Sequence, residues 1–129
     1  MTKKTAIRWL RSNATTYNLN PDKFAVWGSS AGGHLAALAG TSGAVNALED
    51  FSTGNADQTS RVQAVLDWFG PTDLLQMEAN SLPCSTICHN CSDSPEANLI
   101  GCPMPNCRLK AKRPNPIRFI SPTYNYPPF

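Results

Sequence analysis

Hydrophobic and polar positions along the chain alternate in blocks that predict a helix, a strand, a helix and a second strand. Over residues 2–17, Ile7, Leu10, Ala14 and Tyr17 recur at steps of three and four, with Lys3, Lys4, Arg8 and Arg11 mostly off that stripe, which predicts an amphipathic helix. The run Asn-Leu-Asn-Pro-Asp-Lys that follows is turn chemistry, because Pro21 fixes one backbone angle and Asn20 and Asp22 can bond locally. A short apolar run at 24–27 then predicts a buried strand. From 31 to about 41 the pattern is helical, with Leu35, Leu38 and several alanines forming a small-residue face able to approach a sheet closely, and Gly40 and Gly43 suit its end. A polar connection over 46–61 leads to a run at 62–70, rich in β-branched and aromatic residues, that predicts a second strand ending at Gly70-Pro71.

Strand, helix, connection, strand is the order of a parallel βαβ unit with a right-handed crossover. The predicted class is therefore α/β. Beyond the second strand, Leu74, Leu75 and Met77 predict a short helix over 73–79. Residues 82–107 mix proline, cysteine and polar residues without sustained periodicity and read as an insertion within one domain spanning 1–129. The C-terminal stretch is extended in character because of its prolines. So small a sheet leaves edges open, and self-association is an expectation.

Composition narrows the function classes. A mass of 14.0 kDa suits one domain with a real core. A formal net charge of +2 is too small to argue for a nucleic-acid or anionic-membrane partner. The sequence holds no apolar run of membrane-spanning length and no apolar core of a signal peptide behind its N-terminal lysines. The five cysteines, Cys84, Cys88, Cys91, Cys102 and Cys107, all fall inside the insertion. With His89 they offer enough ligands for a tetrahedral zinc site, but the spacing is no recognised finger, and disulfides or free thiols account for them equally well, so no metal is assigned. Asn13-Ala14-Thr15 and Asn90-Cys91-Ser92 fit the glycosylation acceptor pattern, and the basic cluster Arg108, Lys110, Lys112, Arg113 and Arg118 reads as a solvated face.

The most informative stretch is Trp-Gly-Ser-Ser-Ala-Gly-Gly-His, residues 27–34. Gly28-Ser29-Ser30-Ala31-Gly32 matches G-x-S-x-G between a predicted strand and a predicted helix, which is the context a nucleophilic serine requires. Glycines two residues to either side let the backbone close tightly and a substrate approach, leaving Ser30 Oγ exposed. At the helix start, the Ala31 N–H can bind the oxyanion formed when Ser30 attacks an ester carbonyl. The bland alternative is a glycine-rich turn without chemistry.

These residues, together with Val-Gln-Ala-Val-Leu-Asp-Trp-Phe-Gly-Pro-Thr-Asp, Asp-Ser-Pro-Glu-Ala-Asn-Leu-Ile-Gly-Cys-Pro and Asn-Pro-Ile-Arg-Phe-Ile-Ser-Pro, resemble α/β-hydrolase esterases of the acetylxylan, feruloyl or general carboxylesterase kind. The resemblance implies a mainly parallel sheet with helices on both faces and a cofactor-free serine esterase mechanism. It implies as substrates short acyl esters, or acetyl and feruloyl esters of polysaccharide, and it is compatible with a secreted setting. Family members also carry an upstream His-Gly-Gly-type loop and, after the Pro-Pro-Phe segment, a triad aspartate and histidine, to which nothing in this sequence corresponds. The chain is thus expected to be the central piece of such a hydrolase, and only Ser30 and Ala31 carry over as catalytic positions. A catalytically silent fragment or binding module is the rival expectation.

Other groups could still serve the site. His34 follows Ser30 by four residues on the same predicted helix face, although the family pattern carries a histidine here beside its triad histidine, which favours packing or loop bonding. His89 would have to fold back from the insertion to approach Ser30. Asp73, just past the second strand, lies at the sheet edge where ligands of open α/β folds collect, and helix capping is its competing role. Asp67 reads as a satisfied or edge carboxylate.

Overall fold

A computed structural model describes residues 3–122 and 127. Its central unit is a two-stranded parallel sheet of β1 (Ala25–Ser29) and β2 (Ala64–Trp68), paired from Ala25 with Ala64 to Ser29 with Trp68. Helix α2 (Ala31–Thr41) makes the crossover, and α1 (Lys3–Ser12) precedes the sheet. The remaining helices are α3 (Pro95–Ile100) and α4 (Arg108–Lys112), with 3-10 turns at Asn46–Leu48, Phe51–Thr53, Met104–Asn106 and Pro116–Phe119.

The alternation of strand side chains decides where the core sits. Val26, Gly28, Val65 and Asp67 are the more covered positions of the two strands, and Val65, Ala36, Ile7 and Val62 form the main buried cluster, with Phe24 and Val26 packed against it. Both α1 and α2 contribute to that one face. The opposite face presents Trp27, Leu66 and Trp68, which are 66%, 46% and 49% exposed, with the two indole rings edge to face at 5.0 Å. Among the described residues the strands are thus covered by helix on one face only, whereas the family resemblance implies helices on both. A second small core of Leu74, Met104 and Ala111 holds the insertion and α4 together.

Helix α1 corrects the expectation drawn from its apolar stripe in two ways. It ends at Ser12 rather than near residue 17, and its basic residues are buried: Lys4, Arg8 and Arg11 are 2%, 0% and 8% exposed, while Trp9 faces out at 40%. The polar connection is the reason. Glu49 pairs with Lys4 at 3.0 Å and with Arg8, and also accepts from Ser60. Lys4 donates to the Ser42 carbonyl at 2.7 Å and Arg8 to the Asp50 carbonyl at 2.7 Å. Arg11 donates to the carbonyls of Pro21, Thr59 and Arg61 and lies over the Phe24 ring. The cations therefore lash residues 42–61 onto the helix, and of their donors only Arg8 Nε is buried and unpartnered among the described residues. Burial works to raise the Glu49 carboxyl, but hydrogen bonds from Ser60 and Lys4 and the charges of Lys4 and Arg8 outweigh it and hold the group below its ordinary range.

Three further expectations are revised. Residues 74–80 form consecutive turns rather than a helix, their backbone bonds, such as Gln76 N–H to the Asp73 carbonyl and Asn80 N–H to the Gln76 carbonyl, being isolated rather than consecutive. The insertion contains α3, for which Ser94 supplies the cap by accepting the Ala97 N–H at 3.0 Å and Pro95 stands in the first turn. The extended C-terminal stretch begins instead with the turn Pro116–Phe119, and residues 123–126, 128 and 129 lie outside the described residues. No helix among the described residues is long and apolar enough to cross a membrane.

Candidate active site

Ser30 sits in the junction between β1 and α2 with φ 55° and ψ −119°, in the region where L-residues are rare. The fold imposes this conformation from both sides. Its N–H donates to the Trp68 carbonyl at 2.9 Å, continuing the β1–β2 ladder, while its own carbonyl already accepts the His34 N–H at 3.0 Å as the first turn of α2. One residue must pass from sheet to helix without a loop. The Ser30 side chain makes no capping hydrogen bond and the residue is exposed, so Oγ stands free of the helix it begins. Ala31 opens α2, where helix geometry leaves backbone N–H groups without intrahelical acceptors.

The glycines divide into different roles. A side chain on Gly28 would run into the Gly32 backbone, so Gly28 is what lets the strand and the first helical turn meet; a side chain on Gly32 would meet open space. Two glycines outside the five-residue motif are equally constrained. Gly33 and Gly70 face each other with Asp67 Oδ1 between, and a Cβ at Gly70 would strike the His34 N, the Gly33 carbonyl carbon and Asp67. Asp67 accepts the Gly70 N–H at 2.8 Å, which makes it a satisfied carboxylate closing the end of β2. This close approach seats the N-terminus of α2 on the sheet.

Ser30, Ala31 and His34 form one side of a cavity of about 540 Å³. Phe69, Pro71, Leu74 and Met77 follow β2 around it, and Ile87, His89, Pro95, Glu96 and Leu99 close it from the insertion. The walls are mainly apolar, suited to an acyl or aryl group beside an attacking serine. Phe69 is notable among them, since it holds φ 45° while 80% exposed, a second strained residue bordering the same space. Nothing in the residue pattern distinguished it beforehand.

His34 is buried, and its Nδ1 lies 2.6 Å from the Pro71 carbonyl, tying α2 to the turn after β2. Asp73 does not border the cavity: its Oδ1 accepts from the Leu75 N–H at 3.0 Å and from Asn115 Nδ2 at 2.5 Å. His89, by contrast, does fold back. Its Nδ1 is 3.1 Å from Glu96 Oε1, and its backbone N–H donates to Glu78 Oε2 at 2.7 Å. Disulfides join Cys88 to Cys91 and Cys102 to Cys107, leaving Cys84 exposed and free. Among the described residues no three His, Cys, Asp or Glu side chains converge as a metal site. The signal for Glu96 was present in Ser94-Pro95-Glu96, a helix-start pattern that puts an acid in the first turn.

A model of the family described as BD-FAE matches residues 2–129. The chain belongs to the BD-FAE family. Its relatives are esterases of the α/β-hydrolase type. This BD-FAE chain is 40% identical over 75 residues to Esterase LipQ of Mycobacterium tuberculosis and 33% identical over 76 residues to the probable carboxylic ester hydrolase LipM of the same organism. Each alignment covers 58% of this chain and 17% of the relative, so the matched part is a small share of either esterase. Among solved structures, a truncated form of a carbohydrate esterase from gut microbiota superposes with a TM-score of 0.77 at 36% identity, covering 92% of this chain and 43% of that one. A bifunctional GH43-CE protein of Bacteroides eggerthii superposes at 0.82 and 36% identity, covering 97% of this chain and 18% of that one.

Proposed function

We propose that this BD-FAE family chain hydrolyses carboxylic esters through an acyl intermediate on Ser30. The observation that carries the reading is the strained backbone of Ser30 between β1 and α2, which leaves Oγ uncapped at the cavity edge. Ser30 Oγ attacks the ester carbonyl as its proton is withdrawn, the carbonyl electron pair moves to oxygen, and the Ala31 N–H at the start of α2 donates to that oxyanion. Collapse breaks the bond to the alcohol, and water then releases the acid from Ser30. No cofactor takes part.

The apolar walls and the likeness to a solved carbohydrate esterase support short acyl esters, including acetyl and feruloyl groups on polysaccharide, as substrates. The bare face carrying Trp27, Leu66 and Trp68 supports reading the two strands as part of a doubly wound hydrolase sheet. The test is turnover of a short-chain nitrophenyl ester by the chain and by Ser30→Ala, with phosphonate labelling located by mass spectrometry. Turnover and a label on Ser30, both lost in the variant, are expected. A chain whose Ser30 takes no label, or whose turnover survives the substitution, is not a Ser30 esterase.

A further inference from the structure

Phe69 stands where neither the local turn nor the core calls for a phenylalanine. The register that pairs Ser29 with Trp68 sets Phe69 abreast of Ser30, one step past the ladder, and the Ser30 N–H donates at 2.9 Å to the carbonyl of Trp68, immediately before Phe69. The two residues leave their strands at the same level and border the same cavity.

The backbone at residue 69 has a clear cause. Asp67 Oδ1 accepts the Gly70 N–H at 2.8 Å, and Gly70 lies close against the His34 N and the Gly33 carbonyl carbon, so the chain turns sharply at residue 69, which takes φ 45°. Glycine or asparagine adopts such an angle at least cost, and the other non-glycine residues with positive φ among those described are Asn18, Asn55 and Ser30 itself. A bulky ring is the outlier there. Nor does burial select it, since Phe69 is 80% exposed, the most of any aromatic residue among those described, and belongs to neither buried cluster. A ring kept in water, on a strained backbone beside the candidate nucleophile, is accounted for by a ligand that covers it.

The depth of the cavity walls says which part of the ligand that is. Leu74 and His34 are 3% and 4% exposed and offer the acyl group a covered wall, whereas the Phe69 ring forms a rim, whose occupant is held on one face and wet elsewhere. A pyranose ring fits such a place. Its C–H groups make an apolar face that the electron-rich face of the phenyl ring attracts, while its hydroxyls point outward to water. We propose that Phe69 is the platform for the sugar ring on the alcohol side of the ester, a substrate-binding residue that favours glycosyl esters over simple alkyl esters; this rests on the polysaccharide-ester reading of Ser30 above.

The experiment compares the chain with Phe69→Ala and Phe69→Tyr. Phe69→Ala keeps a Cβ on the same backbone and removes only an exposed ring, so the fold is retained, and Phe69→Tyr restores the ring. With an acetylated xylo-oligosaccharide as substrate, Phe69→Ala should raise KM by about 5- to 10-fold with little change in kcat, and Phe69→Tyr should return it close to wild type. With ethyl acetate, which has no ring to stack, KM should stay the same in all three. An NMR titration with the unacetylated oligosaccharide reads the contact without turnover and should show the same loss of affinity in Phe69→Ala. Equal oligosaccharide affinity in the chain and Phe69→Ala, or a KM for ethyl acetate that rises as much as that for the sugar ester, overturns the proposal while leaving Ser30 as nucleophile. Ring-dependent oligosaccharide binding in a chain whose Ser30 takes no phosphonate label supports Phe69 as the sugar platform and overturns the Ser30 reading instead.

Discussion

If the turn holds Ser30 under strain, removing the side chain two different ways should separate the strain from the chemistry. Ser30 holds φ 55° and ψ −119°, which costs a residue with a Cβ on the order of 1–3 kcal/mol and costs glycine almost nothing. Against that gain stands the extra freedom of glycine in the unfolded chain, about 0.5–1 kcal/mol. Ser30→Gly should therefore be more stable than Ser30→Ala by about 1 kcal/mol net. Comparing the two variants with each other, rather than with wild type, keeps Oγ out of both. Urea unfolding reads the difference: with a slope of ~1–3 kcal/mol per molar, the glycine midpoint should lie higher by roughly 0.5 M. Equal midpoints, or a more stable alanine variant, would show that the turn stores no strain and would remove the main structural support for a special role of Ser30.

The buried ion cluster gives a second expectation. Glu49→Gln leaves Lys4 and Arg8 buried beside a neutral group and should cost about 3–5 kcal/mol in urea unfolding. Because the folded Glu49 carboxyl is held below its ordinary value, its stabilisation is present above the unfolded pKa of about 4.3 and is lost as pH falls through the folded value; acid unfolding of wild type should show that loss and the variant should lack it. Gly70→Ala drives a methyl group into the start of α2 and should destabilise by roughly 1–3 kcal/mol while slowing Ser30 labelling, since the same backbone seats the serine. An alanine variant with wild-type thermal stability would mean that α2 and β2 are not in close contact there.

The local features of this BD-FAE chain were legible in its sequence because they depend on near neighbours. The β1–α2–β2 order, the helix over 31–41 and the serine between strand and helix follow from hydrophobic periodicity and from glycine and proline placement, which act over a few residues. Periodicity failed where long-range partners competed for polar groups. Lys4, Arg8 and Arg11 look like a solvent face in α1 alone, and they are buried because Glu49, Ser60 and a row of carbonyls in the connection meet them. The helix expected over 73–79 gives way to turns at 74–80, where the backbone bonds of Gln76 to Asp73 and of Asn80 to Gln76 stand isolated. The cavity was the least legible feature, since His89 joins Ser30 and Phe69 around it only when the disulfide-bearing insertion folds across the end of β2. The sequence alone determined which residue stands at the strained turn. Which imidazole shares a cavity with it and also holds a carboxylate was decided by tertiary packing, because no short-range rule specifies a contact between segments so far apart along the chain.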